Sequence, residues 1–290
     1  MLLDEGNSTL IPEMKEQKDN PKKRLAVIMS VYKSDKEAFV RQAVESILSQ
    51  TCGDFDLYIL FDGPVQKGAD DYLYALRDER VHIMSREKNK GLAFSLNELL
   101  EEALPKDYEY IARMDADDVS LPERFEKQIS YLDSHPDMDC AGSWAIEINA
   151  DGSEYFRKQM PVTHDECRRF FMKRDCLIHP TVMFRRSYFE KAGLYPTDTY
   201  YAEDTLMWAK GFVGGCRFSN VPDYLLKFRL DADFFNRRRG WKLAKSILLL
   251  RWRVNHMLHY PLIAYIYALL YAVAKMMPMS VLSFIYRKAR

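Results

Sequence analysis

The chain has 290 residues, 48% hydrophobic and 29% charged, with 42 basic and 42 acidic side chains. That is enough apolar content for a substantial core, which excludes a chain too polar to fold and fits one large domain with an appendage. The zero net charge hides an asymmetry: residues 234–290 carry eleven Lys/Arg and no Asp/Glu, while residues 1–233 hold 31 basic and 42 acidic side chains, a net −11. A basic end on an acidic body calls for a partner, either nucleic acid or an anionic membrane surface.

In chain order, residues 1–23 lack the apolar core of a signal peptide and read as a disordered lead-in. LAVIMSV (25–31) is a continuous apolar run of the kind buried on both faces of a parallel sheet. Ser34 and Glu37 have capping-box spacing, and Val40, Val44, Ile47 and Leu48 recur at helical spacing behind them. LYILF (57–61) is the next strand and ends at Asp62, Gly63 and Pro64; residues 71–77 read as a helix and VHIM (81–84) as a short strand. NKGLAFSLNELLEEAL is a glycine turn into a helix, and YEYIARM (108–114) is a strand that stops at Asp115, Asp117 and Asp118. Ser120, Pro122 and Glu123 predict a second capping box and a helix start. Alternating strands and helices at this spacing define an α/β doubly wound sheet, in which ligands sit beyond the carboxyl ends of the strands. Tyr32, Asp62 and the three acids all fall at such ends.

Residues 139–148 and 154–158 read as a hairpin around Asp151 and Gly152, and Thr163 with Glu166 as the cap of a short helix. TVMF (181–184), CRFSNV (216–221) and YLLKFRL (224–230) read as three strands, with a helix near 203–212. Five scattered cysteines, Cys52, Cys140, Cys167, Cys176 and Cys216, form no CxxC pair and fit a reduced cytoplasmic protein with buried thiols. Beyond residue 233, 21 uncharged residues lie between Arg253 and Lys275, but the fully apolar run is only residues 262–274. This is short of the roughly 20 apolar residues that span a bilayer. Helices lying in the membrane interface fit better, with Trp, Tyr, Lys and Arg at headgroup level; an apolar helix pair packed on the main domain is the alternative. Nucleic acid is disfavoured, because the apolar run would have no role there.

Packed carboxylates at a strand end need a compensating cation or a place in water, as in a solvated loop or at a helix N-terminus. Mg²⁺ or Mn²⁺ favours such oxygen ligands, and an ion held by one or two carboxylates keeps positions open for phosphate oxygens. A diphosphate substrate follows, with the metal offsetting charge on the leaving group. An EF-hand is excluded, since Val119 takes a ligand position and the required glycine is missing.

VIMSVYKSD, SILSQT, DLYILFDG, NKGLAFSLN and RMDADDVSLPERF, read together, resemble the family 2 glycosyltransferases of GT-A fold. The likeness continues through IHPTVMFRRSYFEKAGLY, YAEDTLMW and PDYLLKFRL and covers residues 24–232; Lys33 replaces the family's Asn, and Phe61 the first acid of its D-D-G. It implies a GT-A nucleotide-diphospho-sugar transferase domain, a doubly wound mixed sheet, over 24–232, and leaves 233–290 as a helical, membrane-associating extension. It further implies that Ser30 and Tyr32 meet the nucleotide base, Tyr32 by stacking, and that Asp62 accepts from the base N3–H of a UDP-sugar. Gly91 would let the backbone approach the donor, Asp117 would touch the metal with Asp115 assisting, and Asp204 would be the general base of an inverting transfer. His179 and Glu203 fall on the acceptor side, and Asp118 reads as a cap for the following helix. The resemblance is to bacterial capsule, exopolysaccharide and O-antigen enzymes, and implies a polyprenyl-diphosphate-linked saccharide acceptor, an anionic membrane surface met through residues 237–290, and a place on the inner face of the cell membrane. The Q-x-x-R-W motif of processive synthases is absent, which favours transfer of a single sugar. A nucleotidyltransferase would show a glycine-rich loop after the first strand, which SVYKSDKEAF lacks. A non-catalytic scaffold would have no use for Asp62, Asp117 and Asp204, each costly without a ligand.

Overall fold

A computed structural model describes residues 23–199, 202–230 and 240–278. The expected lead-in, apart from Lys23, and residues 233–239 and 279–290 of the tail lie outside the described residues. The first half runs β1 (Leu25–Val31), α1 (Glu37–Leu48), β2 (Phe55–Asp62), α2 (Lys67–Ala75), β3 (Val81–Arg86), α3 (Leu92–Ala103) and β4 (Tyr110–Asp115). These strands pair in parallel in the order β3-β2-β1-β4. The second half runs β5 (Val119–Ser120), α4 (Arg124–Ser134), β6 (Cys140–Ile148), β7 (Glu154–Lys158), α5 (His164–Phe171), β8 (Met183–Arg185), α6 (Ser187–Ala192), α7 (Glu203–Val213) and β9 (Phe218–Arg229). β8 joins β4 antiparallel, and the sheet continues β8-β6-β9-β5 with β7 hydrogen-bonded to β6. It is the doubly wound α/β sheet that the alternation predicts, and it is mixed, as the family resemblance implies.

Side chains alternate across β1 with the two-residue period of a strand. Ala26 and Ile28 enter one core layer with Tyr58, Leu96 and Trp208; Leu25, Val27 and Met29 enter the other with Val44, Ile59 and Phe125. The cysteines at 140, 167, 176 and 216 are buried free thiols, as the scattered spacing suggests, whereas Cys52 is a half-buried one.

Local reading fails where tertiary contacts recruit a polar side chain. α1 starts after Lys36 without a side-chain cap, and Asp35 Oδ2 instead accepts the Tyr32 N–H at 2.8 Å. Ser120 is no cap either: it lies in β5 opposite Leu226, its Oγ accepts from Gln50 Nε2, and α4 begins only at Arg124. The box of Thr163 and Glu166 does form, at the start of α5. The two strands expected at 216–221 and 224–230 are one strand, β9, whose register to β6 shifts around Ser143 to Ala145 and so accommodates Pro222.

Two further helices, α8 (Trp241–Met257) and α9 (Leu262–Met276), follow. α8 lies on the main domain: Leu250, Val254 and Leu258 share a core layer with Phe171, Trp208 and Phe212. α9 packs on α8 through Ala264, Ala268 and Ala272 and the Trp252–Tyr265 ring pair, 5.1 Å between centroids. No described helix is long and apolar enough to cross a membrane.

Candidate active site

The carboxyl ends of β1, β2 and β4 lie side by side. Ser30 is in register with Leu60 on one flank and Asp115 on the other, so Ser30, Tyr32, Asp62 and Asp115 share one edge. Asp62 is 3% exposed and anchors the loop that enters α3. Its Oδ1 accepts from Arg86 Nε and Nη2 and from the Lys90 N–H; its Oδ2 accepts the Gly91 N–H at 2.9 Å. Only Oδ2 keeps a lone pair for a further donor, so any base contact falls to that oxygen. Gly91 precedes α3 at φ +97°, ψ 166°, a conformation essentially confined to glycine. Gly63 brings its turn so near this loop that a Cβ would stand 2.7 Å from the Asn89 nitrogen.

Carboxylate oxygens of Asp115, Asp117 and Asp118 lie within 4.8 Å of one another. At that spacing each charged pair repels by roughly 3 kcal/mol at an effective dielectric near 20. Buried guanidinium groups offset part of this. Arg113, two residues before Asp115 and on the same face of β4, grips both its oxygens, with Nη1 2.8 Å from Oδ2 and Nη2 on Oδ1. Arg229, at the end of β9, donates its N–H to Asp118 Oδ1 at 2.7 Å and its Nε to the Asp117 carbonyl. Arg124 is fully buried and donates to the Arg113 carbonyl; burial and the Arg113 charge push its pKa down to about 9. Asp118 caps no helix. It is 1% exposed, and its Oδ2 has no partner among the described residues. Burial, then the charges of Asp117 and Asp115, raise its carboxyl well above the ordinary range. A buried acceptor left unpaired costs about 1–3 kcal/mol, and a hard divalent cation would relieve both that cost and the residual repulsion. The donor set therefore fits Mg²⁺ or Mn²⁺.

Glu203 and Asp204 open α7 after Ala202, which takes a left-handed φ of 63°. Asp204 Oδ1 accepts the Thr205 N–H at 2.7 Å. His179, in a single 3-10 turn before β8, is buried and bonded through Nε2 to the Tyr195 hydroxyl at 2.9 Å. Burial and the Arg113 charge hold the His179 pKa well below its usual value, so the ring is neutral. The Tyr195 hydroxyl feels both sides: Arg113 lowers its pKa while Asp204 and Glu203 raise it, and burial outweighs them all. Through its hydroxyl, Tyr195 is tied to the turn that precedes β8. A second link ties α7 to the tail, because Asp175 Oδ1 accepts from Thr205 Oγ1 and from Arg251 Nη2, both at 2.8 Å.

Arg86, Arg113, Arg229, Tyr195 and the Asp175–Arg251 pair escape the sequence reading. Arg113 leaves a trace nonetheless: it interrupts an otherwise apolar stretch of strand, IARM, and a charge inside a buried run needs a counter-charge nearby.

A doubly wound sheet with an acid cluster beyond its parallel strands is compatible with a nucleotide-sugar transferase, and residues 26–193 match the family described as glycosyl transferase family 2. The chain belongs to that family, and its fold is of the GT-A type. It is 33% identical over 271 residues to the amylovoran biosynthesis glycosyltransferase AmsE of Erwinia amylovora, covering 91% of this chain and 98% of that one. It is 26% identical to the UDP-Gal:alpha-D-GlcNAc-diphosphoundecaprenol beta-1,3-galactosyltransferase of Escherichia coli, over 93% and 97% of the two chains. Among solved structures, TarS of S. aureus in complex with UDP-GlcNAc superposes with a TM-score of 0.60 at 16% identity, covering 92% of each chain. The mannosyltransferase PcManGT of Pyrobaculum calidifontis, in complex with GDP-Man and Mn²⁺, gives 0.60 at 15% identity, covering 92% of this chain and 79% of that one.

Proposed function

We propose that the protein is an inverting transferase that moves one sugar from a UDP-sugar to a polyprenyl-diphosphate-linked saccharide, in surface polysaccharide assembly on the inner face of the cell membrane. The observation that carries this reading is the convergence of three carboxylates within 4.8 Å just beyond the strands that bear Ser30, Tyr32 and Asp62. The names of the AmsE and galactosyltransferase relatives support the pathway, the donor nucleotide and the lipid-linked acceptor. The tail, residues 237–290, would meet the anionic membrane surface.

Tyr32 stacks on the base, with Ser30 beside it and Asp62 Oδ2 accepting its N3–H, while Gly91 lets the loop approach the donor. Asp115, Asp117 and Asp118 would hold Mg²⁺ or Mn²⁺, whose charge offsets that of the leaving diphosphate. Asp204 takes the proton of the acceptor hydroxyl as its oxygen attacks the anomeric carbon; the bond to the diphosphate breaks on the opposite face and configuration inverts. Glu203 and His179 line the acceptor side. His179 is neutral and can accept or donate a hydrogen bond without adding charge.

Asp204→Asn tests the assignment. Turnover should fall by about 10²–10⁴, the usual worth of a general base, while calorimetric UDP binding with Mn²⁺ stays within about twofold. Unchanged turnover, or loss of UDP binding, would refute the role.

A further inference from the structure

The outer face of α9 is apolar and uncovered. Leu262, Ile266, Leu270 and Val273 lie opposite the buried Ala264, Ala268 and Ala272, and Leu262 is 83% exposed. Beside it stand cations from a different part of the chain. Arg168 and Arg169 end α5, and Lys173 and Arg174 follow in the loop. The fold brings them against α9: Lys173 Nζ lies 5.3 Å from the Tyr267 ring, and the Tyr260 hydroxyl donates to the Arg168 carbonyl. Tyr267 flanks the exposed arc, so the cations border the apolar face and do not oppose it. Among the described residues none of the four forms an ion pair with a carboxylate; Arg168 and Arg174 instead lie over the rings of Phe212 and Phe170. The neighbouring acids are mostly engaged, Glu166 in the α5 capping box and Asp175 with Arg251; Asp165 remains, lining a hollow of about 260 Å³ with Arg168 and Arg169.

We infer that the main domain itself docks on an anionic bilayer, with Arg168, Arg169, Lys173 and Arg174 binding phospholipid headgroups while the outer face of α9 enters the acyl boundary. The inference deepens the reading of a membrane-bound acceptor, because a two-point contact fixes the height and tilt of the domain over the lipid surface. A second copy of the chain fits the face less well. Two-fold pairing through α9 would bring the same unpaired cations of both copies to one seam, whereas anionic headgroups neutralise them.

The test is co-sedimentation of the full chain with phosphatidylcholine vesicles, with and without phosphatidylglycerol. The parent should bind the anionic vesicles. Replacing all four cations by Gln should weaken that binding on the order of tenfold or more while UDP binding and thermal midpoint hold. Should the fourfold variant be unstable, the exposed pair Arg169→Gln with Lys173→Gln should still lower affinity severalfold. Ile266→Asp with Leu270→Asp should release the protein from the anionic vesicles. Parent-like binding by the Gln variants would overturn the inference and leave the tail as the sole contact. A parent that ignores vesicles but dimerises in sedimentation would assign the face to a second copy. Vesicle binding without UDP binding would sink the UDP-sugar reading and leave the surface standing.

Discussion

Gly91 shows how one residue can set the donor side. Its φ of +97° with ψ 166° lies where only glycine rests comfortably, yet a Cβ there would meet nothing within 4 Å. The penalty for Gly91→Ala is therefore conformational, about 1–3 kcal/mol, and the strain bears on the Lys90 and Gly91 N–H groups that grip Asp62. Urea unfolding should register that loss, and calorimetry should show weaker UDP binding; unchanged values in both would mean the loop tolerates another path. His179 gives a pH prediction. Burial, aided by Arg113, holds its folded pKa below the unfolded value of about 6.5. As pH falls through about 6.5 the unfolded chain takes the proton first, so stability is full above that range and lost below it. The urea midpoint should drop between about pH 7.5 and 5.5, and His179→Gln should flatten the slope. His164 is shifted the same way, chiefly by burial, so the variant keeps part of the slope.

At the scale of elements, α7 and α8 are joined through one carboxylate oxygen. Arg251, 3% exposed, holds Asp175 and the Phe171 carbonyl, and the same Asp175 oxygen holds Thr205 next to Asp204. Arg251→Met strips donors from both acceptors. Stability should fall by about 1–3 kcal/mol, and kcat several-fold at unchanged KM for the donor, because only the first turn of α7 is loosened. A change in donor KM alone would place the effect elsewhere. Such links explain what the sequence conceals. The parallel strands are legible because burial on both faces demands continuous apolar runs, as in LAVIMSV. The acid cluster is legible because three carboxylates in four residues have few structural uses. Ser120, by contrast, carries a capping pattern that Gln50, 70 residues away, overrides. One counter-charge of the cluster, Arg229, comes from β9, which no local pattern places beside the end of β4.

For the whole molecule, the charge asymmetry suggests a tail separable from an acidic body, but the packing joins them. Leu250, Val254 and Leu258 complete a core layer made by Phe171, Trp208 and Phe212, and Arg251 is buried against α5. α9, in contrast, adds little to that core and turns apolar side chains outward. The two helices therefore divide the work, α8 as part of the folded body and α9 as its outer surface. Removal should separate these roles. A chain ending before α9 should keep α8 in place, UDP binding and most of its thermal stability, while losing vesicle affinity. A chain ending at residue 232 should uncover Leu250's partners, and burying each such aliphatic side chain is worth about 1.5–3 kcal/mol. Three of them together approach the 5–15 kcal/mol that stabilises a typical domain. The shorter chain should then unfold at markedly lower temperature, or aggregate, before any question of membrane binding arises. Equal thermal midpoints for the two truncations would show that α8 is dispensable to the body and that its buried contacts with α5 and α7 contribute little to stability.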